Sequence, residues 1–404
     1  MQPNVPSKTM TGVLIGGSGL IGGTIAHYFK KAALGPCPKK IISPCGTIAN
    51  YVETPSSHSI ELLTPSRKEL SLRNAIDIRN YLQQVRPAFI INTAIASIDS
   101  SAQLAFETNY LGTLNLARAA AVLHIPYIHI SSAALLPSGE NLTEEDQLPL
   151  TADMSNYAKS KLMAEQTLRC MHQTIGLDYT CIRLAVVYGA HDHKIQGFHR
   201  LLFSITDGAM PVLFTKKKVM HSYSNATKLP YFIHHILMNR REFSGETYHF
   251  VDKEPVELAS LILTIKSYLK LKVPRELYVS YPLAVLGKKV LEFVLKGLSK
   301  IGLKANLPAE LMFLDSFYKT QTLSSNKLHQ SSFCDPFPDE TLCTKLSALL
   351  IYYLIRWSQQ NLIATFSEFT SHANTIDSDF QNDPQTLLDS IHQDSLGSPS
   401  QVWR

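Results

Sequence analysis

The 404-residue sequence predicts an α/β protein built on a doubly wound parallel sheet, with a smaller C-terminal substrate lobe. Short apolar runs alternate with helical patterns through the first half of the chain. The first run ends in a glycine-rich turn that opens a helix. A later helix carries a tyrosine and a lysine four residues apart, on one face. The predicted divisions are 1–188 for the sheet domain, 189–370 mainly for the lobe with some segments returning to the sheet domain, and 371–404 for a disordered polar tail.

The first strand, Val13–Ile15, leads into a glycine-rich turn, and residues 23–31 have a helical pattern. Glycines at this spacing permit a tight turn, close approach of a pyrophosphate, and close packing of helix on strand. The helix N-terminus adds free N–H groups and a favourable dipole. The turn therefore predicts a Rossmann-type dinucleotide site, whose candidate residues are Gly16, Gly17, Ser18, Gly19, Leu20, Ile21 and Gly22.

The second strand has two candidates, because residues 34–59 are rich in proline. We favour Ile60–Leu63 and assign Lys40–Ile42 to an inserted loop. An acidic residue after this strand normally binds the adenosine 2′-hydroxyl, whereas here Arg67 and Lys68 follow it. Arg67 suits a 2′-phosphate, so the sequence favours NADP(H) over NAD(H), which stays possible.

The remaining elements place polar side chains at strand ends and on two helices. In an open α/β sheet, ligands bind at the carboxyl edge of the strands. Strand 88–92 ends in Asn92 and is followed by Ala94, a small residue that lets a cofactor lie close. The helix over 102–123 carries Asn109, and strand 127–130 delivers Ser132. A helix over 155–175 carries Tyr157 and Lys161, and strand 179–184 follows.

Tyr157 and Lys161 suit acid–base chemistry. A free phenol titrates near ~10 and is a poor base at neutral pH. A neighbouring ammonium group favours the phenolate, so we expect Lys161 to lower the pKa of Tyr157 towards the working range. Ser132 can then hold the carbonyl or carbinol oxygen with which Tyr157 exchanges a proton.

Taken together, these motifs resemble the extended short-chain dehydrogenase/reductase family over about residues 11 to 355. The match rests on the order and spacing of the glycine turn, Asn92-Thr93-Ala94, residues 109–115, Ser132, Tyr157 with Lys161, and residues 183–189. The resemblance implies that Tyr157 is the general acid/base, that Lys161 also holds the nicotinamide ribose, and that Ser132 polarises the substrate. It further implies a water relay from Asn109 to Lys161, cofactor contacts at Leu184 and Val186, and hydride transfer by the nicotinamide.

Within that family, the sequence looks most like reductases of nucleotide-linked keto-sugars. Dehydratases place an acidic pair where this chain has Ala133 and Ala134, which disfavours dehydration. Ser71 stands in place of a frequent adenine-contacting aspartate, and 221–225 departs from the usual aspartate-rich segment. A sterol-like lipophilic substrate, an NAD-dependent sugar-nucleotide epimerase and a non-catalytic regulatory subunit remain alternatives.

Composition and residue spacing limit the kinds of partner that the sequence predicts for this protein. The formal charge of +5 is modest, and no basic run is interleaved with aromatics, so nucleic acid is not expected. Paired histidines at 191–193 and 234–235 lack further ligands at metal-site spacing, so no metal is expected. Six cysteines without a regular disulfide spacing and an N-terminus without a signal segment predict a cytoplasmic protein.

Residues 229–237 are expected in the lobe. The amphipathic, basic segment 283–301 predicts a lobe helix packed on the core, or peripheral contact with an anionic membrane. A homodimer also stays open.

Overall fold

The computed structural model describes residues 10–32, 60–98, 100–190, 197–206, 212–214, 218–300 and 314–359. The predicted inserted loop at 34–59, the histidines at 191–193 and the predicted tail at 371–404 lie outside these residues. The chain divides into two compact units, with the boundary between Leu349 and Leu350. The fold and the site below belong to the first unit.

The strands and helices follow one another in the alternation that the sequence predicts. The strands are β1 Met10–Ile15, β2 Ile60–Leu63, β3 Phe89–Asn92, β4 Tyr127–Ser132, β5 Gly139–Leu142, β6 Tyr179–Leu184, β7 Val186–Tyr188, β8 Val212–Phe214, β9 Met220–His221, β10 Tyr223–Asn225, β11 Glu246–Phe250, β12 Val256–Glu257, β13 Arg275–Leu277 and β14 Gln321–Leu323. The helices are α1 Leu20–Ala32, α2 Ala75–Val85, α3 Ala102–Ala105, α4 Gly112–Val122, α5 Asn156–Ile175, α6 Gly197–Thr206, α7 Leu229–Met238, α8 Arg240–Phe243, α9 Leu258–Tyr268, α10 Tyr281–Lys300, α11 Leu314–Tyr318, α12 Asn326–Gln330 and α13 Leu342–Gln359. A π-helical turn, Phe106–Leu111, joins α3 to α4, and a 3₁₀ turn, Ala133–Leu135, follows β4.

Six parallel strands form the main sheet, in the order β11-β6-β4-β3-β1-β2. Ile60–Leu63 is confirmed as the second strand, because it pairs in parallel with β1 from Met10 to Val13. Ile15 pairs with Asn92, and Asn92 pairs with His129, so the carboxyl ends of β1, β3 and β4 are side by side. Neighbouring strands lie about 4.8 Å apart, which brings the segments after these three strands to one edge.

Helices cover both faces of this sheet, which confirms the doubly wound prediction. On one face Leu14, Phe89 and Ile128 pack with side chains of α1 and α7, including Phe29 and Phe232. The opposite face is covered by α2, α4 and α5, whose core side chains include Ile78, Leu82, Leu116, Ala120, Leu168 and Met171. Burial on both faces explains the nearly continuous apolar character of the strands. Each large apolar side chain buried here stabilises the fold by about 1.5–3 kcal/mol.

Two segments differ from the sequence expectation. Residues 229–237 were expected in the lobe, but α7 packs on the main sheet through Leu229, Phe232 and Ile233. Helix α10 was expected mainly to pack its apolar stripe on the core. Instead Leu286, Val290 and Phe293 are 57%, 56% and 80% exposed.

Shorter strands lie outside the main sheet. Strands β12, β9, β14 and β5 form a four-stranded sheet, and two-stranded sheets join β10 to β7 and β13 to β8. Most of these strands come from the predicted lobe, while β11 returns to the edge of the main sheet. Among the described residues, none of the helices combines the length and the apolar character required to cross a bilayer.

Candidate active site

The glycine turn between β1 and α1 depends on two glycines for its own geometry. Gly16 has a φ of +84°, a backbone conformation that favours glycine, and its carbonyl accepts the Gly19 N–H at 3.1 Å. A Cβ on Gly22 would lie 2.2 Å from the Gly16 oxygen. Both positions therefore need glycine to close the turn and to seat α1 against β1.

Gly19 is different, because its own surroundings leave room for a side chain. A Cβ there would meet only the Gly16 oxygen, at 3.6 Å, and both Ser18 and Gly19 are exposed. The first N–H groups of a helix have no partners within the helix, and here they belong to Leu20 and Ile21. A cradle with open glycine, free N–H donors and a positive dipole fits the pyrophosphate of a dinucleotide.

The segment after β2 lies next to this turn. A Cβ on Gly17 would be 2.9 Å from Thr64 Cγ2, so the two segments are in contact. Arg67 follows in an exposed turn and makes no ion pair with any described residue. One feature was missed in the sequence: the Glu69 carboxylate closes this turn by accepting the Ser66 N–H at 2.6 Å. That hydrogen bond lowers the pKa of Glu69, so a negative charge stands two residues from Arg67.

Buried hydrogen bonds fix the end of β3 at the same edge of the sheet. Asn92 is buried, and its amide nitrogen donates to the Tyr127 hydroxyl at 2.8 Å while its amide oxygen accepts the Ala94 N–H at 3.1 Å. Its side chain therefore fixes the end of the strand, and contact between Asn92 and a cofactor stays a prediction. Ala94 is half-buried, and a Cβ on Gly16 would lie 2.9 Å from its backbone nitrogen.

Two further candidates lie at the end of β6 and at the start of β7, and they differ in exposure. The Leu184 side chain belongs to the core on one face of the sheet and is 3% exposed, and its contact with a cofactor stays a prediction. Val186, at the start of β7, is 37% exposed.

Tyr157 and Ser132 meet at the carboxyl edge of β4. Ser132 is the last residue of β4, and Tyr157 lies in the first turn of α5, which Ser155 caps by accepting the Ala158 N–H. Tyr157 is only 6% exposed, and its phenol lies beside Ser132. Burial raises the pKa of Tyr157 above its ordinary value, and the Ser132 side chain offsets part of that rise. The expected net lowering of this pKa by Lys161 is therefore wrong for the protein alone.

Lys161 lies one turn further along α5, on the same face as Tyr157. Its ammonium donates to the Ile130 carbonyl on β4 at 2.7 Å, and the residue is 3% exposed. Burial lowers the pKa of Lys161 to about 8, although Cys181 and Glu165 act in the opposite direction. The lysine thus stands next to the tyrosine with a charge that titrates near neutral pH.

Glu165 continues the same face of α5 by one more turn, and the sequence analysis did not single it out. It holds the fully buried Arg183 of β6 through Arg183 Nη2 at 2.7 Å and Nε at 3.1 Å. Arg183 Nη1 also donates to the Glu144 carbonyl at 2.6 Å. The four-residue spacing of positions 157, 161 and 165 was the available signal. This pair locks α5 to the sheet behind the catalytic candidates.

Asn109 reaches the same helix by another route. It lies in the π-helical turn, fully buried, and its side-chain oxygen accepts the Ala96 N–H at 2.8 Å. Its side-chain nitrogen donates to Ser160 Oγ at 3.0 Å, and that hydroxyl donates to the Tyr157 carbonyl. Asn109 therefore positions α5 beside Tyr157. No hydrogen bond joins Asn109 to Lys161, so the water relay stays a prediction.

Among the described residues, no group of three or more histidine, cysteine, aspartate or glutamate side chains could hold a metal ion. His234 and His235 each have other contacts: the His235 ring bonds to Ser332 Oγ at 2.8 Å, and the His234 ring lies against Phe29.

Known proteins with this architecture point to one family. Residues 13–218 match the profile of the NAD dependent epimerase/dehydratase family. The chain is 26% identical, over 65% of its length and 76% of the relative's, to N-acetyl-alpha-D-glucosaminyl-diphospho-ditrans,octacis-undecaprenol 4-epimerase of Escherichia coli O157:H7.

Two solved structures show the same fold. One is the dTDP-glucose 4,6-dehydratase of Streptomyces venezuelae with NAD and TYD bound: the TM-score is 0.59 at 17% identity, over 87% of this chain and 98% of that one. The other is the dTDP-4-dehydrorhamnose reductase of Bacillus anthracis in complex with NADP, with a TM-score of 0.55 at 16% identity, over 85% and 99%. Since the profile covers half of the sequence, the chain belongs to the NAD dependent epimerase/dehydratase family.

Proposed function

We propose that this protein is an NADP(H)-preferring oxidoreductase that interconverts a ketone and a secondary alcohol on a sugar. The observation that carries the proposal is the grouping of three side chains: the buried phenol of Tyr157 beside Ser132 at the end of β4, with the buried ammonium of Lys161 on the next turn of α5. This group lies at the same sheet edge as the glycine turn, two strands away. A proton donor and a dinucleotide cradle on one edge are what a hydride-transfer enzyme needs.

In this proposal each residue has one task. The glycine turn and the first N–H groups of α1 hold the pyrophosphate. When bound, the nicotinamide supplies or accepts the hydride. Ser132 donates a hydrogen bond to the substrate oxygen, and Tyr157 gives the proton to that oxygen in reduction or takes it in oxidation. Lys161 places a positive charge near the phenol, which favours the phenolate on the oxidation side.

The raised pKa of Tyr157 favours one direction of the reaction, the reduction of a ketone. A buried, protonated phenol is a good proton donor to a nascent alkoxide, which is the step that a ketone reduction requires. Arg67 supports the choice of NADP(H), since it is exposed beside the turn that holds Gly17. The Glu69 carboxylate weakens that preference but is occupied by the Ser66 N–H.

For the substrate we propose a glycosyl diphosphate. The epimerase relative is named for a sugar on diphospho-undecaprenol, and the fold neighbours are named for dTDP-linked sugars. Ala133 and Ala134 follow Ser132 in a 3₁₀ turn and provide no acid or base, which disfavours dehydration. A C4 epimerase is the second candidate function, favoured by that relative. Epimerisation would use the same three residues with a retained cofactor.

The deciding experiment uses the purified chain with NADPH or NADH and a panel of dTDP- and UDP-linked 4-keto sugars. We expect oxidation of NADPH with at least one of them. Bound NAD(H) that co-purifies, with isomerised product and no net oxidation, would instead establish the epimerase.

Tyr157→Phe tests the residue assignment. We expect turnover to fall by a factor of about 10²–10⁴ while cofactor affinity is retained. Tyr268→Phe is the matched control, because Tyr268 is 63% exposed at the end of α9. Full activity of Tyr157→Phe would remove the phenol from the mechanism. Cofactor binding without turnover on any substrate, in a folded wild-type protein, would favour the regulatory-subunit alternative.

A further inference from the structure

Exposed large apolar side chains concentrate in one stretch of this chain. Of the nineteen that are exposed among the described residues, eight lie between residues 268 and 293. They are Tyr268, Val273, Leu277, Tyr278, Leu283, Leu286, Val290 and Phe293. Scattered exposed apolar residues are normal, whereas a contiguous exposed apolar surface marks a place that binds something apolar.

Helix α10 carries the denser half of this stretch. Leu283, Leu286, Val290 and Phe293 recur at helical spacing and are 56–80% exposed, so they form one stripe about 15 Å long, which we call the α10 stripe. The opposite face of α10 is the one that packs. Ala284 is 7% exposed, and Tyr281 bonds to Asp315 and lies 5.3 Å from the Tyr318 ring of α11. The stripe therefore points away from the helix that anchors α10.

The charge of this stretch indicates which kind of partner the α10 stripe binds. Residues 268–293 contain five lysines or arginines against two glutamates, a net charge of +3. Lys270, Lys272, Arg275 and Lys289 are exposed, whereas the Glu276 carboxylate is bonded to the Tyr278 hydroxyl. A second copy of the chain on this stripe would bring two positive surfaces together. An anionic lipid surface would be complementary to both the charge and the apolar side chains.

We propose that the α10 stripe binds the surface of an anionic membrane, with α10 lying in the plane of the lipid headgroups. Leu283, Leu286, Val290 and Phe293 enter the boundary with the acyl chains, and the exposed basic residues contact the lipid phosphates. Exposed tyrosines such as Tyr268 and Tyr278 suit the headgroup level, because their rings are apolar and their hydroxyls polar. This inference is independent of the reaction proposed above.

The test is co-sedimentation of the full chain with vesicles of phosphatidylglycerol and phosphatidylcholine, compared with pure phosphatidylcholine. We expect binding to the anionic vesicles, falling as salt is added. Leu286→Ser with Phe293→Ser should weaken it at least tenfold, since both side chains lose their apolar contact. Lys289→Gln should weaken it about fivefold.

Val122→Ser with Ile175→Ser is the matched control. These side chains are 60% and 59% exposed, but they end α4 and α5 and lie outside the stretch. The control should bind as the wild type does, and all variants should melt at similar temperatures because only exposed side chains change.

Failure of the folded wild-type chain to sediment with anionic vesicles would overturn the proposal. Equal binding by the stripe variant would do the same. Light scattering that shows a dimer for the wild type and a monomer for the stripe variant would assign the stripe to a second copy of the chain instead.

Discussion

Gly19→Ala and Gly22→Ala separate the cofactor role of the glycine turn from its folding role. A Cβ at position 19 would lie 3.6 Å from the Gly16 oxygen, an ordinary contact. We therefore expect Gly19→Ala to change the free energy of unfolding by less than about 1 kcal/mol, because an added Cβ in allowed space also restricts the unfolded chain. The methyl group would nevertheless project into the space proposed for the pyrophosphate. We expect NADPH affinity to fall at least tenfold, about 1.4 kcal/mol.

Gly22→Ala is the contrasting variant. Its Cβ would lie 2.2 Å from the Gly16 oxygen and 2.8 Å from the Gly16 carbonyl carbon, and neither can move without opening the turn. We expect a loss of about 2–3 kcal/mol in the free energy of unfolding, on the scale of an overpacked core. Cofactor affinity should fall as well, since the turn that binds it is displaced.

Urea unfolding gives the stability of each variant, and titration of NADPH fluorescence gives the dissociation constant. The pair of measurements matters more than either one. If Gly19→Ala binds NADPH as tightly as the wild type does, the dinucleotide does not pass over this turn. If Gly22→Ala is as stable as the wild type, the close approach of α1 to Gly16 is not a constraint on the fold.

Three further predictions concern charged groups: Lys161 and Arg67 of the candidate site, and Asp252, a buried carboxyl two residues after β11 that accepts a hydrogen bond from the Tyr188 hydroxyl. Burial lowers the pKa of Lys161 to about 8, so kcat/KM should fall as pH rises through 8 and the charge is lost, and Lys161→Arg should remove that inflection from a pH–rate profile. Arg67→Gln should raise the KM for NADPH about tenfold and leave that for NADH nearly unchanged; an equal change in both would contradict the 2′-phosphate assignment. Burial raises the pKa of Asp252 to about 6 from an ordinary 3.8, so its contribution to stability is present at low pH and lost as pH rises through 6. The unfolding free energy of Asp252→Asn, relative to the wild type, should therefore rise by about 2 kcal/mol between pH 4.5 and pH 7, and a flat difference would refute this.

The fold was predictable because its signals are local. The glycine turn, the apolar runs of β1 to β6 and the four-residue spacing of Tyr157 and Lys161 each lie within a short window. Ile60–Leu63 was favoured over residues 40–42 as the second strand, and its parallel pairing with β1 confirms that choice. The position of α7 could not be predicted from local signals, since an apolar helix packs equally well on a sheet or in a lobe. Only its contacts with Phe29 and Phe250 distinguish these.

The candidate site was predictable in its residue types but not in its partners. Asn109 was found by motif, yet its bond to Ser160 depends on the π-helical turn, which hydrophobic periodicity does not encode. The partners of Asn92 could not be predicted because a buried amide binds whichever groups surround it, here Tyr127 and Ala94. The pKa of Tyr157 was wrong in direction since burial cannot be deduced from the spacing of two residues alone.

The wide turn over Phe106–Leu111 has a consequence for how this protein tolerates change in length. A π turn accommodates one residue more than a regular helix would, and each residue advances a helix by about 100°. Deleting one residue here would give an unbroken α-helix from 102 to 122. Asn109 would then face another side of the helix, away from Ser160 and Ala96. Leu116 and Ala120 would keep their positions in the core on the sheet. The one extra residue of the π turn thus orients the Asn109 amide towards its partners without changing how α4 packs on the sheet.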